Sequence, residues 1–157
     1  MLEVGKKLPA FSLPRSDGAS WKTADAKGSR LVLYFYPKDM TPGCTLEGQD
    51  FRDLHPAFKR AKTLVLGISK DSCARHAKFR EKEAFPFELL SDEDEKVCRL
   101  FDVIREKSLY GRKFMGIERS TFLFDDTGKL AREWRNVRVK GHAAEVLEAA
   151  KSLPRAQ

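Results

Sequence analysis

Continuous apolar runs alternate with amphipathic stretches along most of the chain. RLVLYFYP, Arg30 to Pro37, is aliphatic or aromatic at every position after the arginine, the pattern of a strand buried on both faces. Pro37 ends it, since proline has no N–H for a ladder. TLVLGIS, Thr63 to Ser69, is a second buried strand, and FELLSD from Phe87 a short third one. Between the first two, Leu46, Phe51, Leu54 and Phe58 recur at helical spacing, which predicts a helix from Thr45 to about Arg60 despite Pro56.

DSCARHAKFREKEA opens with the cap-forming pair Asp71 and Ser72 and reads as a helix. EDEKVCRLFDV reads as another, with Val97, Leu100 and Phe101 on one side. ERSTFLFDDTGKLAREWRNV holds two strand-like runs around a DDTG turn, a hairpin, and KGHAAEVLEAAKSL is an amphipathic helix. Parallel crossovers plus an antiparallel hairpin give an α/β fold with a central mixed β-sheet flanked by helices and a Pro- and Gly-punctuated N-terminal extension. No repeat or Pro/Ser-rich linker interrupts the pattern, so residues 1–157 are expected to form a single domain.

The longest apolar stretch is too short to span a bilayer, and the N-terminus lacks the core of a secretory signal, which predicts a cytoplasmic protein. The net charge of +7 raises the question of an anionic partner. The 30 basic residues are interleaved with 23 acidic ones, the look of a solvated surface, and the densest basic cluster, REWRNVRVK, suits one face of a strand. Neither nucleic acid nor membrane is the expected partner. No long apolar surface helix or strongly exposed apolar strand is foreseen, so a monomer or weak dimer is expected.

The three cysteines show no CxxC or zinc-type spacing, and no metal site is expected. His55, His76 and His142 lie far apart on predicted helices and are assigned no catalytic role. Cys44 differs from the other two thiols. A strand stopping at Pro37, a loop of small residues and a helix starting near Cys44 put the sulfur beside unpaired N–H groups and the positive end of the helix dipole. Such surroundings favour the reactive thiolate. Thr41 can supply a hydroxyl to a substrate and Pro37 an apolar wall. A small buried cysteine behind a tight turn is the alternative reading of the same residues.

The spacing PxxxTxxC over Pro37, Thr41 and Cys44 resembles the active-site signature of peroxiredoxins, and YPKDMTPGCTLEGQDFRD is similar to the peroxiredoxin Q, or bacterioferritin comigratory protein, subfamily. GISKDS, FELLSDEDEKVCRLFDV, GIERSTFLFDDTGK and VKGHAAEVL extend the resemblance over nearly the whole chain. It implies a thioredoxin-like fold and reduction of hydrogen peroxide and organic hydroperoxides without metal, haem or flavin cofactor. It implies Cys44 as peroxidatic nucleophile, Thr41 as hydrogen-bond partner of the peroxide, Pro37 as shield, Arg119 as stabilising cation and Glu47 as the group that orients Arg119.

The resemblance breaks at the resolving cysteine. Many members carry it five residues after the peroxidatic one, where this chain has Gln49. Others place it in the following helix, nearer Arg80; here Cys73 lies near that helix's start and is the candidate resolving thiol. Cys98, in KVCRLFDV, reads as a packing cysteine. Without a resolving thiol, an external reductant such as thioredoxin, glutaredoxin or glutathione attacks the sulfenic acid directly. The alternatives are a thioredoxin-like disulfide reductase, disfavoured because position 47 is Glu rather than a second cysteine, and a redox-inactive basic binding module or thiol sensor.

Overall fold

The computed structural model describes residues 2–154. Its centre is a five-stranded sheet built from β3 (Arg30–Phe35), β4 (Thr63–Ser69), β5 (Glu88–Ser91), β8 (Ser120–Phe124) and β9 (Leu130–Trp134), in the order β5-β4-β3-β8-β9. β3, β4 and β5 run parallel, and β8 and β9 pair antiparallel. The parallel pairs need crossovers, which α1 (Pro42–Arg60) and α2 (Cys73–Glu83) supply. The remaining elements are the hairpin β1 (Ser12–Pro14) and β2 (Ser20–Lys22), α3 (Lys96–Leu100), the hairpin β6 (Ile104–Leu109) and β7 (Arg112–Ile117), and α4 (His142–Lys151).

Period-two alternation along β3 explains why its sequence is apolar throughout. Leu31, Leu33 and Phe35 face one core with Phe101, Phe122 and Phe124, whereas Val32 and Tyr34 face a second with Phe51, Phe58, Phe79 and Val146. The second core seats α1, α2 and α4 on one face, and Tyr34 stacks on Phe51 with ring centroids 4.7 Å apart. Gly48 lets α1 lie close over Phe85: a Cβ there would sit 2.3 Å from the ring.

Several expectations are corrected. The first helix begins at Pro42 rather than Thr45, because proline is preorganised for a first turn whose N–H is unpaired anyway. Leu46 points to solvent, since it stands one residue off the buried Cys44–Gly48–Phe51 stripe. Leu100 is also exposed: α3 is only five residues long, so Val97 and Cys98 carry its buried side and Phe101 packs from just beyond its end. The basic cluster 132–140 does not line one strand face, because β9 stops at Trp134. Arg132 stacks over Trp134, and Arg135 donates to the carbonyls of Phe101 and Asp102. Finally, the β6–β7 hairpin, which the pattern did not announce, holds Leu109, Tyr110, Phe114 and Met115 in the open, against the expectation of no exposed apolar strand.

Candidate active site

The loop leaving β3 turns through half-buried Pro37 and reaches Thr41, the N-cap of α1. Thr41 caps with backbone only; its hydroxyl donates to the Lys38 carbonyl at 2.8 Å. A hydroxyl that spends its hydrogen this way keeps its lone pairs to accept from another O–H. Cys44 follows in the first helical turn, buried at 2 % exposure, with the first unpaired N–H groups of α1 around it.

Arg119 arrives from the opposite direction, in the link between β7 and β8. Its guanidinium donates through one nitrogen to Cys44 Sγ at 3.4 Å and through another to Glu47 Oε1 at 2.6 Å. A planar fork can hold both at once, which a lysine cannot. Burial alone pulls the Arg119 pKa down, but the charges of Glu47 and Cys44 more than offset it and the net shift is upward. Gly43 completes the approach: a Cβ there would stand 3.2 Å from the guanidinium.

Glu47 is almost fully buried, and its Oε2 has no hydrogen-bond partner. Burial pushes its carboxyl up to about 7, against the downward pull of Arg119. Lys107 on β6 feels the same cluster. Burial lowers its pKa, and Arg119 lowers it further, while Cys44 acts in the opposite sense. Neither Gly43 nor Lys107 stood out in the sequence, because Gly43 matters through the close approach of Arg119 and Lys107 through the charges of Arg119 and Cys44, all distant along the chain.

Arg119 thus joins Cys44 and Glu47 at the start of α1, while Thr41, the N-cap, and Pro37, in the loop leading to it, precede Cys44 at the β3–α1 junction. Cys73 stands apart as the first residue of α2, half-buried, and all three cysteines are free. Cys98 is fully buried, and burial, then Asp92, push its thiol strongly up, which makes it inert. Of the histidines, His55 lies beside Phe87, while His76 and His142 are buried and hydrogen-bonded.

A buried sulfur in the first turn of a helix that follows a central strand, faced by a guanidinium, is an arrangement that suits a thiol-based oxidoreductase. The AhpC/TSA family model matches residues 4–133. The chain is 49 % identical over 152 residues to peroxiredoxin Bcp of Bacillus subtilis, covering 97 % of each. It is 50 % identical over 156 residues to peroxiredoxin Bcp of Xanthomonas campestris, covering 97 % of this chain and 98 % of the other. Among solved structures, Xylella fastidiosa PrxQ superposes with a TM-score of 0.92 at 42 % identity over 97 % of both chains. Xanthomonas campestris bacterioferritin comigratory protein, solved as a trapped intermediate/ligand complex bearing on its alkyl peroxide reduction, superposes with a TM-score of 0.86 at 48 % identity over 90 % of both. The chain belongs to the AhpC/TSA family, among its Bcp/PrxQ peroxiredoxins, and is a thiol-dependent peroxidase with a thioredoxin-like fold.

Proposed function

We propose that Cys44 is the peroxidatic residue, acting on hydrogen peroxide and organic hydroperoxides. The observation that carries this reading is the Arg119 fork, which bonds Cys44 Sγ and Glu47 at the same time. Arg119 stabilises negative charge first on sulfur and then on the leaving oxygen. Thr41 accepts the hydroperoxide O–H, and Pro37 limits water. The sulfur attacks one peroxide oxygen in line: an S–O bond forms, the O–O bond breaks, sulfur loses two electrons, and the leaving oxygen departs as water or alcohol after taking a proton. A thiol then condenses with the sulfenic acid, forming a disulfide and releasing water.

That thiol comes from an external reductant of the thioredoxin, glutaredoxin or glutathione type. Cys73 is the internal candidate, and an internal bridge requires its Cα to come within about 7 Å of that of Cys44. The reading treats residues 1–157 as one peroxiredoxin domain, a monomer or weak dimer in the cytoplasm. Among the described residues no helix is long and apolar enough to cross a membrane.

The test is peroxide consumption by the reduced protein with dithiothreitol as reductant. Cys44→Ser should abolish turnover, whereas Cys73→Ser should preserve it if an external thiol resolves. Full turnover by Cys44→Ser would refute the assignment.

A further inference from the structure

At the loop between β3 and α1 the protein buries a second ionisable pair, one that takes no direct part in the peroxidase chemistry proposed above. His76, on α2, and Asp39, in the loop after β3, are both wholly inaccessible at the side chain, with Nδ1 2.6 Å from Oδ2. His76 Nε2 lies 2.9 Å from the Leu90 carbonyl oxygen on β5. A carbonyl only accepts, so Nε2 carries a hydrogen. The other Asp39 oxygen accepts from the Tyr36 hydroxyl at 2.5 Å. One proton lies between Nδ1 and Oδ2, and whichever partner holds it the pair buries no net charge.

The same short segment is held at two more points, one from the β4–α2 loop and one from α2. The Asp39 amide donates to Asp71 Oδ2 at 2.9 Å, and the Asp39 carbonyl accepts from Arg75 at 3.3 Å. The next residue, Met40, has φ of 63°, a left-handed conformation that L side chains rarely adopt. Thr41 follows directly, so its hydroxyl sits where a strained turn puts it. A turn with that backbone needs anchoring from outside.

We infer that His76 is a positioning residue for the peroxidase reaction: through Asp39 it fixes the Lys38–Thr41 turn and hence the hydroxyl that receives the peroxide. The inference rests on the role of Thr41 proposed above. A metal is the competing use of this cluster, since Asp39, Asp71 and His76 bring donor atoms within 4.8 Å of one another. Those atoms are already engaged: Asp71 accepts from Ser69, Arg75 and the Asp39 amide, and Asp39 accepts from Tyr36 and shares a hydrogen bond with His76.

Two amide replacements split the two bonds of the ring. His76→Asn keeps a donor near the Nδ1 position and loses the reach to Leu90; His76→Gln carries its amide toward the Nε2 position and gives up Asp39. Both lose the ring, so packing losses are shared. The rate of Cys44 oxidation by hydrogen peroxide should fall about tenfold or more in His76→Gln and stay within about threefold of the parent in His76→Asn, with the ultraviolet thiolate absorbance unchanged in both. Equal losses in the two variants, or none in His76→Gln, would overturn the inference. Amide exchange at Met40 and Thr41 reads the turn without chemistry and should speed up in the Gln variant only. If the parent protein left Cys44 unoxidised, the peroxidase site would be wrong while this exchange result still decided the anchor. Nitrogen NMR of the unsubstituted protein needs no variant: His76 Nε2 should be protonated, and a bare Nε2 would contradict the bond to Leu90 that orients the ring.

Discussion

Replacing Glu47 with glutamine isolates the energy stored under the Arg119 fork. Glu47 is 1 % exposed, and burial outweighs the pull of Arg119, raising its carboxyl from the ordinary 4.5 to about 7. The folded state thus binds this proton more tightly than the unfolded chain does. Below about pH 4.5 both states are protonated and the group contributes nothing; as the pH rises toward about 7 the unfolded chain ionises first, and stability falls. At 1.36 kcal/mol for each pH unit separating the two values, the full loss is about 3 kcal/mol, most of it between about pH 5 and about pH 8. Glutamine cannot titrate, yet its carbonyl still accepts from Arg119. Arg119 also faces a neutral partner in the parent at low pH, so the comparison is fair. Urea unfolding of both reduced proteins across this range should show Glu47→Gln gaining about 3 kcal/mol on the parent as pH rises. Parallel stability curves would refute the reasoning, and a parent that gained on the variant would mean that the ion pair outweighs burial.

Thr41→Val keeps the shape and deletes the lone pairs, so oxidation of Cys44 followed by stopped flow should slow about tenfold to a hundredfold, while Thr41→Ser stays near the parent. Gly48→Ala drives a methyl to 2.3 Å from Phe85 and should cost about 1–3 kcal/mol, read as a lower urea midpoint with little change in the denaturant slope. His142 is pushed down to about 4 by burial; its folded form holds its proton less tightly than the unfolded one, so its contribution is lost as pH falls from about 6.5 toward 4, the opposite sense to Glu47. Its ring resonances should not titrate above about pH 5.

β3 and β4 were legible almost residue for residue because each is a run of apolar residues buried on both faces, whereas β8 and β9 were legible only as two strand-like runs around the DDTG turn. The Ser72 cap was legible too: its hydroxyl accepts from the Arg75 amide at 3.2 Å. The β6–β7 hairpin was not, because IREKSLYGRKFMGI mixes charge and apolar side chains with no buried face to impose a period. Cys44, Thr41 and Pro37 announce themselves by spacing within nine residues. Arg119 does not: it lies 75 positions from Cys44, and only the resemblance singled it out among the basic residues. Asp39 and His76 were invisible for the same reason, since a buried hydrogen-bonded pair 37 positions apart leaves no local pattern.

The most direct measurement is intact mass spectrometry of the reduced protein after one equivalent of hydrogen peroxide, with a sulfenic-acid trap present and Cys44→Ser alongside. The expected result is a single trap adduct on Cys44, formed at its sulfenic acid and absent from the serine variant; loss of two hydrogens mapping to a Cys44–Cys73 link would keep Cys44 as the nucleophile and make Cys73 its resolving partner. An unmodified Cys44 in protein that still consumes peroxide would contradict it.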